Sequence, residues 1–300
     1  MDPIEFEERP RLSEPPVVCA FQGWNDGGEA ASLAARYLVE RWEAKPFAHL
    51  DPEEYYDFQV SRPTVRLEEG VSRVIEWPRG EFSAASVKGR DVVLFTAVEP
   101  NMRWRSFTGA VVETAAALGS PLLLTLGAFL TDVPHTRPVP LVGSAADEGT
   151  ADRLGLTRSR YEGPTGIVGV LHDASIRAGL PSVSLWAAVP HYLPSGPNPR
   201  AAAALAGRAA AILDLPLDTS PLEGAAATWE AEMGRLVADS DELAEYVSRL
   251  EVVADEERPV VDGGVDGTSG LSQESVPSAD AIGAEVERFL REHGGGEQGR

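Results

Sequence analysis

Apolar residues along this chain follow two rhythms. Short, nearly continuous runs at Val17–Phe21, Val92–Val98, Leu122–Leu126 and Ser184–Val189 are separated by alanine-rich stretches in which apolar positions recur every three to four residues. A continuous apolar run suits a strand covered on both faces, and parallel strands need crossovers long enough to hold a helix. Helices are therefore predicted over Gly27–Ala44, Trp104–Leu118, Gly166–Ala178 and Pro199–Leu213. In the first of these, Ala31, Ala34, Ala35, Leu38 and Trp42 share a face; the third ends at Gly179 with Pro181 beyond, a common helix stop. This alternation predicts an α/β fold: a three-layer αβα sandwich around a mainly parallel central sheet.

Between Tyr55 and Ser86 the period drops to two. In TVRLEEGVSRVIEWP two alternating runs flank Glu69-Gly70, which predicts a β-hairpin, followed by a further extended piece at Glu81–Ser86. Such an antiparallel excursion belongs at a sheet edge or as a flap. From Leu222 onward the pattern turns helical, with Trp229, Met233, Leu236 and Val237 and then Leu243, Tyr246, Val247 and Leu250 tracing apolar stripes. The expected organisation is an α/β domain over residues 1–218 and a helical hairpin extension over 219–255. Beyond it an acidic, glycine-rich and largely disordered tail is expected over 256–300, carrying a short amphipathic helix at 281–291.

Composition narrows the function classes. The net charge is −21, and it is uneven: residues 1–218 hold 28 acidic and 20 basic side chains, residues 219–300 hold 19 and 6. An acidic end of that kind repels phosphate backbones and anionic lipid, so neither nucleic acid nor membrane is an expected partner. No run of about 20 apolar residues occurs and the leading MDPIEFEERP is acidic, so a cytoplasmic protein is expected. One cysteine, Cys19, excludes an internal disulfide, and no Cys/His spacing suits a metal. No cofactor motif is present, and none is expected to be bound.

The stretch FQGWNDGGEAASLAARYL places Gly23, Gly27 and Gly28 where the first strand turns into a helix. Their spacing matches neither G-x-G-x-x-G nor G-x-x-x-x-G-K-[ST]. Asn25-Asp26 occupies the position of an N-cap, with Glu29 three residues after Asp26 as in a capping box, so the protein supplies its own anions to that helix end. Trp24 keeps interest because crevices in open α/β sheets form at the carboxyl ends of strands.

Other polar residues collect at the same predicted ends. Glu99, Asn101, Arg103 and Trp104 follow the second strand, Asp132, His135 and Arg137 the third, and His191 and Tyr192 the fourth. The candidate catalytic groups are Asp26, Glu99, His135 and His191. Trp24, Asn25, Asn101, Arg103, Arg137, Thr165 and Tyr192 are candidate ligand contacts. Two imidazoles among carboxylates and guanidinium groups suit proton transfer near neutral pH and an anionic or sugar-like ligand. The same residues also suit structural work: proline-fixed turns at Asp132–His135 and Pro190–Tyr192, an Arg103–Glu99 pair, and Thr165 as a helix cap. Cys19, inside an apolar strand, reads as an inert small hydrophobe, and there is no G-x-S-x-G elbow.

Five ordered motifs lie on this framework: GWNDGGEAAS, EPNMRW, TDVPHTRPVP, YEGPTGIVGVL and SLWAAVPHYLPSGPNP. Together they resemble the PAC2 family, named for proteasome assembly chaperone 2, and its actinobacterial members in particular, over about Val17–Leu213. The resemblance implies a phosphorylase/hydrolase-like αβα fold and a homo-oligomer, taken as a trimer. It also implies partners among proteasome components, since relatives act in proteasome assembly. It brings no catalytic residues. Some relatives dock through a C-terminal tail with a hydrophobic residue and a tyrosine, a pattern from which the final Gly-Glu-Gln-Gly-Arg departs. Two functions follow: a non-catalytic, self-assembling interaction or assembly-chaperone-like protein, which the resemblance and the missing nucleophile favour, or a small-molecule hydrolase or transferase at the strand ends.

Overall fold

A computed structural model describes residues 3–68, 72–145 and 163–256, together with positions 149, 150, 154 and 156. The expected tail helix at 281–291 and the Glu69-Gly70 turn lie outside the described residues. The strands are β1 (Ile4–Phe6), β2 (Val17–Gln22), β3 (Lys45–Leu50), β4 (Thr64–Glu68), β5 (Ser72–Glu76), β6 (Glu81–Val87), β7 (Arg90–Val98), β8 (Leu123–Thr131), β9 (Leu141–Ala145) and β10 (Ser182–Pro190). Eight of them form one sheet in the order β1-β3-β6-β7-β2-β8-β10-β9. The four apolar runs are its centre: β7, β2, β8 and β10 lie side by side and parallel. Antiparallel neighbours finish both edges, β6, β3 and β1 on one side and β9 on the other. The fold is the mixed αβα sandwich that the run-and-helix pattern predicts.

Helices α1 (Ala30–Arg41), α2 (Trp104–Ala117), α3 (Ile167–Arg177) and α4 (Pro199–Ile212) cover the two faces. The alternation along β2 sorts the core: Val18 and Ala20 point to the layer of α1 and α4, Val17, Cys19 and Phe21 to the layer of α2 and α3. Both helix layers meet the sheet through small residues and a few large ones. Ala31, Ala34 and Leu38 of α1 and Ala202, Leu205 and Ala209 of α4 fill one side. Phe107 and Val111 of α2 and Ile167 and Leu171 of α3 fill the other, where Phe21, Phe95 and Phe107 form an aromatic knot with ring centroids 5.9–6.1 Å apart. Burial pushes the Cys19 thiol far above its ordinary range, which suits an inert packing residue.

Two departures from the sequence expectation, at the two ends of α1, have local causes. Helix α1 starts at Ala30 rather than Gly27, because Gly28 (φ 59°) and Glu29 (φ 49°) are left-handed and a short 3-10 turn precedes it. It stops at Arg41, with Glu43 left-handed (φ 54°), and the chain turns directly into β3, whose KPFAHL carries a lysine, a proline and a histidine that hide the strand signal. The β4–β5 hairpin exists in the register Val65↔Ile75, but it stands apart from the main sheet as a separate two-stranded ribbon.

After α4 the chain continues into α5 (Ser220–Ala238) and, through a two-residue turn, α6 (Asp241–Glu256), which packs back against α5. Leu222, Ala226 and Val237 of α5 and Val247 of α6 are the buried points of this pair. Among the described residues no helix is long and apolar enough to cross a membrane.

Candidate functional site

The carboxyl ends of β2 and β7 bring Trp24, Asn25, Asp26 and Glu99 together. Glu99 Oε1 accepts from Asn25 Nδ2 at 2.9 Å and from the backbone N–H of Ile167 at 3.0 Å, and Oε2 accepts from the N–H of Trp24 at 3.2 Å. One carboxylate therefore ties the β2 turn to the first turn of α3. The N-cap of α3 is Gly166, without a side-chain cap of its own, so Glu99 from another strand serves that end while exposed Thr165 does not. The approach is tight on both sides. A Cβ on Gly166 would overlap the Asn25 amide, and one on Gly23 (φ 131°) would lie 2.9 Å from Glu99 Cβ.

Asp26 caps α1 across the 3-10 turn: its Oδ1 accepts from Ala31 N at 2.8 Å and Ser32 N at 3.1 Å. The predicted capping role thus falls to Asp26, but Glu29 does not reach back; its carboxylate lies 3.9 Å from Arg36 at the surface. Burial raises the Asp26 carboxyl above its ordinary value, opposed by the N–H groups it accepts. The helix end is filled by the protein's own anion.

The groups that follow β8 and β10 form a second, separate set of contacts, built around α6. Tyr192 Oη accepts from His135 N–H at 2.8 Å and lies 2.8 Å from His135 Nδ1. The direction of the Nδ1 contact follows the imidazole tautomer, since the phenol oxygen can donate to a bare Nδ1 or accept from Nδ1–H. Burial lowers the His135 value and raises the Tyr192 hydroxyl to about 12. Nε2 itself is buried without a partner among the described residues, beside a small cavity of about 10 Å³ that Arg200, Asn198 and Trp229 help to line. His191 Nδ1 lies 3.2 Å from Asp132 Oδ1, which also accepts from Tyr246 Oη at 2.8 Å. The rings of His191, Tyr192 and Tyr246 stand edge to face at 5.6–6.0 Å. Arg137 holds Asp255 with two bonds of 2.8 and 2.7 Å and Glu251 at 3.2 Å, and Thr136 donates to Glu251.

Sequence reasoning missed the α6 partners Tyr246, Glu251 and Asp255. Their signal was present: Glu251 and Asp255 stand four apart, so both reach one guanidinium. Arg103 pairs with Glu54 rather than Glu99, and Asn101 Oδ1 accepts from Asp57 N at 2.9 Å. Asn101, with Glu99, lines an open groove of about 430 Å³ whose other walls are Asp57, Val60, Pro100, Met102 and Trp104. Val60 and Met102 are exposed, and Trp24 is 68% exposed. Among the described residues no group of three or more His, Cys, Asp or Glu side chains is gathered for a metal.

The chain is thus a three-layer α/β scaffold with a parallel centre and antiparallel edges, its strand-end polar groups tied into internal contacts. The PAC2 family model matches residues 20–237, and the chain belongs to that family. It is 48% identical to a PAC2 family protein from Streptomyces avermitilis, over 78% of this chain and 99% of that one, with a TM-score of 0.73. It is 46% identical to a Mycobacterium tuberculosis proteasome-assembly chaperone homologue, over 77% and 99%, with a TM-score of 0.71. An archaeal proteasome activator from Pyrococcus furiosus shares the fold at 20% identity, over 79% and 99%, with a TM-score of 0.62. Comparison with curated proteins returns no match.

Proposed function

We propose that this protein is a non-catalytic, self-associating member of the PAC2 family that works by binding other proteins, in the manner of an assembly chaperone, with proteasome components among its partners. The observation that carries the reading is the state of the strand ends. Glu99, Asp26, His135 and His191 are engaged in internal bonds or ion pairs, while Trp24, Val60 and Met102 stand out toward solvent beside an open groove. Catalysis asks that such bonded groups converge on one sheltered pocket, whereas here they are divided among separate sets of contacts and the larger groove is open. Exposed aromatic and methionine side chains are the usual anchors of protein interfaces. The Mycobacterium relative, a proteasome-assembly chaperone homologue, supplies the proteasome half of the proposal.

The test is native mass spectrometry of the purified full chain mixed with proteasome core-particle subunits from the same cell, before and after their assembly. A defined complex with subunits or half-assembled particles, lost in Trp24→Ala, is expected. Absence of any complex, together with turnover of an ester or glycoside panel that His191→Ala abolishes, would overturn the reading in favour of an enzyme.

A further inference from the structure

The ribbon formed by β4 and β5 has two unlike faces. Directly opposed residues of an antiparallel pair share a face, so the register puts Val65 with Ile75 and Leu67 with Arg73, and the alternation carries Trp77 onto the same side. Thr64, Arg66, Val74 and Glu76 take the other side, where Arg66 and Glu76 form an ion pair at 2.5 Å. The apolar face is the wet one: Val65 is 62% exposed, Leu67 57%, Ile75 53% and Trp77 46%. The ribbon joins no strand of the main sheet, and its described aromatic tie to the body is Trp77 against Phe58, with centroids 4.7 Å apart. A two-stranded ribbon is marginal in water by itself, and one that turns its greasy side outward calls for a cover.

We propose that a second copy of this chain supplies that cover, through the Val65–Leu67–Ile75–Trp77 face. The inference deepens the self-association in the proposed function and rests on it. Charge selects the occupant. Residues 62–79 carry four arginines, Arg62, Arg66, Arg73 and Arg79, against three glutamates, in a chain whose net charge is −21. Two such chains repel each other over most of their surfaces, and this stretch, four positive side chains against three negative, is one where a neighbouring copy can approach without that penalty. Arg62 and Arg73 make no ion pair among the described residues and are available to that neighbour; Arg73 stands on the apolar face itself. Area agrees. The four residues expose on the order of 400 Å² together, the size of the largest and often functional apolar patch on a monomer, and about half of the ~800 Å² per partner of a standard interface.

The experiment is light scattering on the full chain at 1–50 µM (roughly the range in which a standard interface associates), for wild type, Leu67→Asp/Ile75→Asp and Arg62→Glu/Arg73→Glu. All four positions lie on exposed surface, and circular dichroism with a thermal melt checks that each variant folds. Expected are an oligomer for wild type, monomer for the apolar pair, and weakened association for the charge pair. Hydrogen exchange of residues 64–76 should slow with rising concentration in wild type alone. If wild type is an oligomer and the Asp pair stays one, the ribbon assignment falls while self-association stands. If wild type is monomeric throughout, both fall, and proteasome binding is judged separately by the mass-spectrometry test. Binding of an unassociated chain to anionic vesicles through this face would likewise overturn the inference.

Discussion

Glu99 accepts the Asn25 side-chain amide at 2.9 Å while its carboxylate also holds the first N–H of α3, so a residue from β7 fixes both the β2 turn and the start of a helix far away in sequence. Glu99→Gln keeps the shape but turns one acceptor oxygen into a donor that faces another N–H. The expected cost is ~1–3 kcal/mol, the range for leaving a partly buried donor unsatisfied. Urea unfolding should show a lower midpoint at unchanged slope. An unchanged midpoint would mean that the carboxylate is not the staple described here.

Asp26 and Glu29 separate two versions of the same cap. Asp26→Ala removes the acceptor for Ala31 and Ser32 N–H and should cost ~0.5–2 kcal/mol. Glu29→Ala touches only an exposed 3.9 Å contact to Arg36 and should stay within about 0.5 kcal/mol. Thermal melts of the two variants, compared with wild type, decide between the Asp26 cap and a capping box centred on Glu29.

These cases mark what the sequence reveals and what it conceals. The central sheet is legible because β2, β7, β8 and β10 are buried on both faces, and burial on both faces leaves an uninterrupted apolar signature. Edge strands β1, β3 and β9 escape notice because one edge or face is polar or bears proline and glycine. Asp26 as a cap is legible because its partners lie five and six residues away. Glu99 as a cap for α3 is not, since its partner lies 68 residues on and only the parallel packing of the sheet brings the two together. The strand-end residues fall near the predicted ends, yet the fold divides them: Glu99 holds the β2 turn and shares a groove with Asn101, Arg103 turns to Glu54, and Asp132, His135 and His191 gather elsewhere. Sequence order carries no distance between loops.

Helix α6 is held to the body largely by Arg137, with Tyr246 on Asp132 beside it. The guanidinium is partly exposed, so solvent screens the pair and its contribution to global stability is small. Arg137→Ala should therefore leave the global melting temperature within a few degrees while raising the exchange rate of α6 amides by up to about fivefold. Raising salt from 0.05 to 0.5 M should move wild type toward the variant. Equal exchange in both proteins would place the hold on α6 in its apolar contacts, Val247 foremost.

The buried histidines set how stability responds to acid. Burial lowers His135 and His172, the first also feeling Glu230 and Glu251, which raise it, and Arg200, which lowers it. An imidazole in the unfolded chain titrates near ~6.5, so below that pH the unfolded state takes a proton that the folded state refuses. Stability is complete above ~6.5 and is lost as pH falls toward the depressed folded values, at up to ~1.4 kcal/mol per pH unit for each histidine. Asp26 acts in the opposite sense. Its raised carboxyl protonates in the folded state before the unfolded one, so its contribution grows as pH drops through that raised value. Melts between pH 7.5 and 5.5 should accordingly fall for wild type and flatten in the His135→Gln/His172→Gln pair, since glutamine offers Tyr192 and Ser182 a neutral partner without a titrating ring. A slope that survives both substitutions would deny these two rings their part in the acid sensitivity.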